Sequence, residues 1–333
     1  TVKGVTHLGS YIFHRFVDLK DVTLSDSILS LGERVFYRCT SLKTLNVPYS
    51  VTQIPKGFVN GCINLETVVL PDTIVSIDSE AFRECAKLQE ITLPTGLEQI
   101  GTIAFYKAGL TKVDIPDSVE YLNASAFADC EKLETVKLPT QLSTIEGTMF
   151  TGCVALKEIV IPPTVTKIEM RAFFSCISFT SVTIPNGVVS LGFEVFGECT
   201  NLEVVTLPKG ITDLPARLFR NCQKIAQIEI PHSIKQVYFE AFCNCISLKS
   251  LEFGSALAKI GSGAFSGCTS LSSFATTSTK VGPEFGEEPV NKDYAFKGCD
   301  KLKEVNVTAD YEGDEFLGLP VRKEYMPTPF TET

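Results

Sequence analysis

One aromatic position constrains this chain more than any other feature, because phenylalanine returns along it at near-constant spacing. The steps are 22 to 24 residues long except for the last, which is 31. The positions are Phe13, Phe36, Phe58, Phe82, Phe105, Phe127, Phe150, Phe173, Phe196, Phe219, Phe242, Phe265 and Phe296. A period of about 20 to 50 residues is typical of stacked units that bury their apolar faces only against their neighbours. We therefore expect a repeat solenoid of about 13 units of 23 residues.

The first half of each unit predicts a short strand. Its pattern is leucine-x-x-apolar-x-apolar, as in Leu133, Val136 and Leu138. Apolar residues two positions apart indicate a strand with one buried face. Proline ends the strand because it has no N–H group to donate. It follows at nine positions: Pro48, Pro71, Pro94, Pro116, Pro139, Pro162, Pro185, Pro208 and Pro231.

The second half of each unit predicts a return segment with the pattern V-x-x-I-G-x-x-A-F. Glycine allows a tight bend there, and it occupies that position at Gly32, Gly101, Gly192 and Gly261. The phenylalanine that follows is expected to fill the interior and to stack on the phenylalanine of the next unit. The interior is therefore predicted to be a column of rings.

The combined pattern apolar-x-x-I-G-x-x-A-F-x-x-C-x-x-L-x-x-I-x-I-P resembles the BspA-like class of leucine-rich repeats, from Val5 to about Val307. The resemblance implies a leucine-rich-repeat solenoid, a right-handed curved rod. Its parallel β-sheet would form the concave face, and short turns or 3-10 segments would form the convex face. It also implies a surface or secreted protein of bacteria or protozoa that adheres to host matrix proteins or to other cells.

The repeat pattern divides the chain into a solenoid and a terminal segment. Residues 1–308 are expected to form the solenoid, with a longer loop at about 276–291 that is either a tolerated insertion or a partner-specific loop. Residues 309–333 are expected to form a C-terminal cap and tail. Phe316, Leu317, Leu319 and Val321 would cover the apolar end of the last unit.

Eleven of the twelve cysteines share one repeat position. They are Cys39, Cys62, Cys85, Cys130, Cys153, Cys176, Cys199, Cys222, Cys245, Cys268 and Cys299. Zinc sites use closely spaced pairs that converge on one point, which a 23-residue ladder does not supply. We expect reduced, buried thiols that pack as small apolar side chains, with occasional disulfides between neighbouring units left open. Cys243 stands outside the column and has no partnered base.

Nothing in the sequence indicates catalysis. Of the three histidines, His7 and His14 lie in the first unit and His232 lies far along the chain, so they cannot share a metal ion or a catalytic triad unless the solenoid folds back on itself. No phosphate-binding loop, nucleophile elbow or H-E-x-x-H motif occurs. No catalytic residue, metal or cofactor is therefore expected.

Charge and hydropathy exclude two classes of partner. The formal net charge is −9 and no Lys/Arg run exceeds two residues, which disfavours nucleic acid. No apolar run approaches the ~20 residues of a membrane-spanning helix. Thr1, Val2 and Lys3 lead straight into the repeat pattern, so no secretory signal is expected within the printed chain.

The side chains that flank the inward residue of each strand are the candidate binding surface. On the expected concave face they are Thr67, Glu90, Thr92, Lys112, Asp114, Thr135, Lys137, Glu158, Thr183, Thr206, Gln227 and Glu229. This set has no aromatic residue on which a sugar or base would stack, so a protein partner is favoured. The alternative is that these residues only keep an exposed sheet soluble.

We therefore expect a non-catalytic extracellular or cell-surface module that binds a matrix or cell-surface protein. Two alternatives remain open. A parallel-strand rod with weak caps favours a surface-layer or filament component that self-associates through its edges. Unpaired thiols favour an intracellular scaffold.

Overall fold

Short parallel strands and turns make up almost all of the chain. The computed structural model describes residues 1–284 and 293–327, within which the one helix is Asp293–Phe296. Contacts divide the chain into two units. Unit 1 comprises Thr1–Val165 and Arg171–Ser178, and unit 2 comprises Thr166–Met170 and the chain from Phe179 onward. Each unit is a stack of 23-residue rungs, so the predicted leucine-rich-repeat solenoid is confirmed, with about 12 turns.

The first strand of a rung is the one that sequence periodicity predicted. In unit 1 these strands are Thr44–Asn46, Thr67–Val69, Lys112–Asp114 and Thr135–Lys137. In unit 2 they are Ser181–Thr183, Val204–Thr206, Ser250–Phe253, Ser273–Thr276 and Val305–Val307. Pairing is parallel with a one-unit offset, as in Thr44 opposite Thr67. We call the outward side of these strands, and of the equivalent residues in the other rungs, the strand face.

A second, two-residue strand lies on the return half of each rung. In unit 1 these strands are His7–Leu8, Ser30–Leu31, Gln53–Ile54, Ser76–Ile77, Gln99–Ile100, Tyr121–Leu122 and Thr144–Ile145. In unit 2 they are Lys167–Ile168, Ser190–Leu191, Asp213–Leu214, Gln236–Val237, Lys259–Ile260 and Gly282–Pro283. These strands pair in parallel in separate runs, such as Gln53–Ile54 through Tyr121–Leu122 in unit 1 and Asp213–Leu214 through Gly282–Pro283 in unit 2. We call the set the return ladder.

The phenylalanine column forms the core, as the sequence predicted. Phe82 and Phe105 stack with ring centroids 5.1 Å apart and planes 7° apart, and Phe105 and Phe127 stack at 5.2 Å and 3°. The Phe36–Phe58 pair differs, because it meets edge to face at 76°. Backbone hydrogen bonds also join the turns, as where Phe82 N donates to the Ala104 carbonyl at 2.7 Å. We call the side of each rung that carries the column phenylalanine and its turn the turn side. Ring stacking and backbone hydrogen bonds both join neighbouring rungs there.

The cysteine column satisfies backbone carbonyls. All eleven cysteines are fully buried and in the thiol form. Cys62 Sγ donates to the Phe36 carbonyl at 3.0 Å, and Cys130 Sγ donates to the Phe105 carbonyl at 3.0 Å. Burial raises the pKa of the Cys130 thiol to about 12, so it stays protonated and can donate at neutral pH. The column is structural and its thiols are unreactive while folded.

Glycine in the return segment serves close approach between rungs. At Gly101 a Cβ atom would collide with the backbone nitrogen of Ser79 in the preceding rung. The positive-φ positions of the turns are different ones, and most are occupied by residues other than glycine, including Glu80 at 62° and Ile103 at 50°. The predicted bend is therefore present, but its glycine is required by steric contact rather than by a left-handed backbone.

A hairpin follows the last rung of unit 2. Glu315–Phe316 pairs antiparallel with Leu319–Arg322, which in turn pairs with Val305–Val307. Phe316 is fully buried with its ring 5.4 Å from Phe274. Residues 276–284 continue the stack, since Thr276 and Gly282–Pro283 lie in paired strands. The rest of the predicted loop at 276–291, from residue 285, lies outside the described residues.

Candidate protein-binding face

The twelve predicted side chains all project from the strand face into solvent. Each is exposed, and each flanks an inward residue that is buried, such as Val113 or Val182, or half-buried, such as Val136. The alternation follows from the period of two in a strand, which sends successive side chains to opposite faces. Three apolar residues join them on this face: Val69 is 52% exposed, Val160 is 82% exposed and Val204 is 60% exposed.

The strand face of unit 1 is interrupted at residues 90–92. These residues form no strand, although Thr67–Val69 precedes them and Lys112–Asp114 follows them in the stack. Within the described chain, no hydrogen bond involves the N–H or C=O groups of Glu90, Ile91 and Thr92. The nearest backbone bond between rungs runs from Thr111 N to the Gln89 carbonyl at 2.9 Å.

Apart from the first rung, where residues 21–23 form only an isolated bridge from Asp21 to Thr44, two other rungs lack the strand at the same repeat position. In unit 2, residues 227–229 form no strand, and their N–H and C=O groups make no hydrogen bond among the described residues. The nearest backbone hydrogen bond to the next rung again lies just before the unpaired residues, from Lys249 N to the Ala226 carbonyl at 3.1 Å. In unit 1, residues 158–160 do not pair with Thr135–Lys137. The sequence predicted strands in all three places, so this part of the strand prediction is wrong.

The three interrupted rungs share one sequence feature. Their inward middle residue is isoleucine, at Ile91, Ile159 and Ile228. The paired rungs carry other residues there: Leu45, Val68, Val113, Val136, Val182, Val205, Leu251, Phe274 and Val305. Ile91 and Ile228 are half-buried, whereas Val113 is 1% exposed. The sequence therefore marked the positions, although periodicity alone gave no reason to distinguish them.

The return ladder stays bonded beneath two of the interruptions. In unit 1, Gly101 N donates to the Ile77 carbonyl at 2.8 Å and Asn123 N donates to the Ile100 carbonyl at 3.0 Å. In unit 2, Tyr238 N donates to the Leu214 carbonyl at 2.9 Å and Gly261 N donates to the Val237 carbonyl at 2.7 Å. The rungs are therefore separated only on the strand face.

Grooves occupy both sides of the unit 1 interruption. One, of about 440 Å³, lies between Thr67–Val69 and 89–92 and is bordered by Glu66 and Glu90. The other, of about 390 Å³, lies between 90–93 and the Lys112–Asp114 strand. Lys112 Nζ and Asp114 Oδ2 form an exposed ion pair at 2.8 Å along one face of that strand. Five of the twelve predicted residues thus line these two grooves: Thr67, Glu90, Thr92, Lys112 and Asp114.

The unit 2 groove is larger, at about 720 Å³, and surrounds the unpaired rung 227–229. Of the predicted residues it contains Gln227 and Glu229. It also contains residues outside the predicted set: Glu203, Val204, His232, Lys249, Glu252 and Tyr325. The other five predicted residues, Thr135, Lys137, Glu158, Thr183 and Thr206, lie on the strand face outside the described grooves.

The sequence prediction missed Tyr325 in particular. This residue belongs to the segment assigned to a cap and tail, and no period links it to the strand face. A backbone bond from Tyr325 N to the Val307 carbonyl, at 3.2 Å, holds it against the last rung. It brings an aromatic ring to the groove, where the sequence predicted none.

Two polar atoms of the unit 2 groove are shielded from solvent without a hydrogen-bond partner. They are Glu252 Oε1 and the Tyr325 hydroxyl, which lie close enough for the Glu252 carboxylate to act on the Tyr325 hydroxyl. Burial raises the pKa of Tyr325, and the neighbouring Glu252 carboxylate raises it further. Unsatisfied buried polar atoms are costly, at about 1 to 3 kcal/mol each. A ligand that donates hydrogen bonds here would relieve that cost.

No group of three or more His, Cys, Asp or Glu residues able to hold a metal ion occurs at residues 1–284 or 293–327. Among those residues, no helix has the length and apolar character needed to cross a bilayer.

Rungs of 23 residues, parallel pairing and a polar outward face define a solenoid of the kind that binds other proteins through its repeats. The model of the BspA type leucine rich repeat region matches residues 2–79, 52–179 and 166–284, with six copies. This chain belongs to that family.

Several solved structures are similar to this chain. A leucine-rich repeat protein from Bacteroides ovatus ATCC 8483 is 24% identical with a TM-score of 0.59, over 96% of this chain and 92% of that one. A leucine rich cell surface protein from Faecalibacterium prausnitzii A2-165 is 26% identical with a TM-score of 0.49, over 85% and 70%. The T. pallidum leucine rich repeat protein is 28% identical with a TM-score of 0.41, over 53% and 72%. Among curated protein sequences, none matches this chain.

Proposed function

We propose that this chain is a non-catalytic module that binds a protein partner through its strand face, outside the cell or at the cell surface. The observation that carries the proposal is the rung-by-rung row of exposed polar side chains, with Val69, Val160 and Val204 among them. Interfaces between proteins that associate and separate have this mixed composition, about as apolar as the rest of the surface. Family membership supports the same function.

The class of partner is a host matrix protein or a protein on another cell. Its support is the family resemblance, which implies adhesion and a surface or secreted location. The grooves beside the interrupted rungs add concave surface to an otherwise regular face. Concave sites bury more of a ligand than flat ones and are the usual places for strong contacts.

The filament alternative has less support at the C-terminal end of unit 2. The hairpin of Glu315–Phe316 and Leu319–Arg322 follows Val305–Val307, with Phe316 and Leu319 buried. A covered end gives a further copy no apolar surface on which to stack. The thiols that favoured an intracellular scaffold are also weak evidence for a compartment, because their burial shields them from oxidants.

The test is a binding titration of the purified chain on immobilised fibronectin, laminin and fibrinogen and on intact cells. A variant with Glu90, Lys112, Glu158 and Glu229 changed to Ala is expected to bind about tenfold more weakly or worse, because charged groups are removed from the face. The control changes Glu33, Glu98, Glu120 and Lys235 to Ala, which alters the net charge equally at exposed positions elsewhere. Equal losses in both variants, or no saturable binding to any target, would contradict the proposal.

A further inference from the structure

The turn side of the first two rungs differs in charge from the chain as a whole. Residues 1–60 carry seven lysines and arginines against four acidic residues, although the formal net charge of the chain is −9. On the turn side of these two rungs, six exposed or half-buried positions hold only aromatic and basic side chains. They are Tyr11, His14, Arg15, Arg34, Tyr37 and Arg38. We call these six residues the basic patch.

Glycine in the third rung makes room for two of the arginine side chains. A Cβ atom on Gly57 would lie 2.7 Å from Arg34 Cγ, and one on Gly61 would lie 2.8 Å from Arg38 Cγ. Both stems therefore lie against the third rung. Their guanidinium carbons lie 6.0 Å and 5.3 Å from the centre of the Tyr37 ring. Guanidinium groups held on a ring lose less conformational freedom when they bind a ligand.

Two of the three guanidinium groups remain available to a ligand. Arg34 is engaged, because it donates to Glu80 Oε2 at 2.9 Å and to the Tyr11 hydroxyl at 3.3 Å. Arg15 and Arg38 are exposed, and in the described part of the chain no carboxylate lies within ion-pair distance of either. They occupy the same position in consecutive rungs, which are about 4.8 Å apart. The pair can therefore hold neighbouring anionic groups of one ligand.

Arginines further along the turn side are neutralised. Arg83 Nη2 lies 3.1 Å from Glu84 Oε1 in unit 1, and Arg217 Nε lies 2.7 Å from Glu240 Oε2 in unit 2. Each of these guanidinium groups has a carboxylate partner that an anionic ligand would have to displace. Uncompensated positive charge therefore distinguishes the basic patch from these two positions.

The Tyr11 ring favours a sugar as the carrier of the anionic groups. The predicted positions of the strand face have no aromatic residue on which a sugar would stack, whereas Tyr11 is 45% exposed beside the arginines. The apolar C–H face of a pyranose ring packs on a tyrosine ring. Sulfate, like phosphate, is a tetrahedral oxyanion that accepts two hydrogen bonds from one guanidinium group. A sulfated sugar uses both features of the patch.

Two other anionic ligands use the patch less fully. Nucleic acid binds single strands by stacking its bases on open aromatic faces. Tyr37 has Arg34 and Arg38 stacked on it, and His14 meets it at 76° with centroids 5.0 Å apart, so its ring is occupied. An acidic peptide would pair with the arginines but has no saturated sugar ring for Tyr11.

From these contacts we propose that the basic patch binds a sulfated glycan, with sulfate groups on Arg15 and Arg38 and a sugar ring on Tyr11. This goes beyond the proposed function, because the ligand is a polysaccharide and the site lies on the turn side. The two sites are independent, so one chain can hold a protein partner on its strand face and a glycan on its turn side.

The first arm of the test varies the ligand against the full chain. The probe is a fluorescein-labelled heparin octasaccharide, followed by fluorescence anisotropy. The same octasaccharide without its sulfate groups is expected to bind at least about tenfold more weakly. A glutamate peptide and an oligothymidylate of the same net charge as the sulfated probe are each expected to bind at least about fivefold more weakly, because neither places a sugar ring on Tyr11 beside sulfate groups on the arginines.

The second arm varies the arginines. A variant with Arg15→Gln and Arg38→Gln is expected to bind the sulfated octasaccharide at least about tenfold more weakly. The matched control is Lys132→Gln with Lys301→Gln, which removes the same charge from exposed positions outside the patch and should bind as the parent does. Circular dichroism of each variant verifies the fold.

The third arm separates the ring of Tyr11 from its hydroxyl. Tyr11→Leu is expected to bind the octasaccharide about threefold more weakly, because the flat ring is lost. Tyr11→Phe keeps the ring and loses the bond from Arg34, so it should bind as the parent does. Equal losses in these two variants would show that the hydroxyl, through Arg34, and not the ring is what matters, and would contradict the place of the sugar.

The proposal is overturned if the sulfated and desulfated octasaccharides bind alike, or if the Arg15 and Arg38 variant matches its control. It is also overturned if the glutamate peptide or the oligothymidylate binds as tightly as the octasaccharide, because the patch would then bind any polyanion. The proposed function is tested separately, since its variant leaves all six residues of the basic patch unchanged.

Discussion

The strand face and the turn side of one rung behave differently, although both repeat every 23 residues. In the rung that contains Ile91 and Phe105, the strand face has no backbone bond to either neighbour at 90–92. On the turn side, Phe105 N donates to the Ala126 carbonyl at 2.8 Å and its ring stacks between Phe82 and Phe127. The rung in unit 2 that contains Ile228 and Phe242 shows the same contrast. Stability therefore resides in the turns and the return ladder, which leaves the strand face free to vary.

The largest expected effect is loss of a ring from the turn side. Phe105→Ala removes a fully buried side chain that stacks on two others. The free energy of unfolding should fall by about 3 to 5 kcal/mol. Urea denaturation measures it, with Thr92→Ala on the exposed strand face as the control. An equal loss in the control would remove the contrast between the two sides.

The second effect compares two isoleucines of the same rung. Ile100, in the return ladder, is fully buried, whereas Ile91 is half-buried beside the groove. Ile100→Ala should lower the free energy of unfolding by about 2 to 5 kcal/mol, and Ile91→Ala by about half as much, because solvent already reaches its side chain. Measured in urea, a larger loss for Ile91 would show that the strand face is packed as tightly as the ladder.

The third effect is a pH dependence on the turn side. Burial raises the pKa of Cys130 to about 12, above that of an ordinary thiol. Its contribution to stability is therefore complete below pH 9 and falls as the pH rises toward 12, because the unfolded thiol ionises first. The slope is about 1.4 kcal/mol per pH unit for one thiol. Urea titrations from pH 9 to 11 should give a shallower slope for Cys130→Ala, and parallel slopes would contradict the assignment.

The smallest effect concerns backbone strain in the turn. Ile103 has φ of 50°, which is unfavourable for a β-branched residue. Ile103→Asn should raise the free energy of unfolding by about 0.5 kcal/mol, because asparagine tolerates this conformation. Lys107→Asn, at φ of 55° but unbranched, should change it less. Thermal denaturation of the two variants measures the change in stability. Destabilisation by Ile103→Asn would show that the packing of the Ile103 side chain outweighs the strain of its backbone.

Periodicity was sufficient to predict the solenoid, the buried phenylalanine and cysteine columns, and the outward side chains such as Thr67 and Glu229. These features depend only on whether a residue of the repeated unit points inward or outward. The spacing of apolar residues in the sequence indicates that directly. Two features needed the structure. Backbone pairing at 90–92 and 227–229 depends on the spacing of neighbouring rungs, and the repeat period does not specify that spacing even though isoleucine marks these positions. Tyr325 reaches the groove through a segment without any repeat.

The central claim, that the strand face is open where the other sides are bonded, is tested most directly by amide hydrogen exchange of the folded chain. The amides of Ile91, Thr92 and Ile228 should exchange near the rate of an unstructured peptide, whereas those of Gly101, Tyr238 and Phe242 should be strongly protected by their backbone bonds. Comparable protection of both sets would contradict the claim, because it would show that the strand face is paired through every rung.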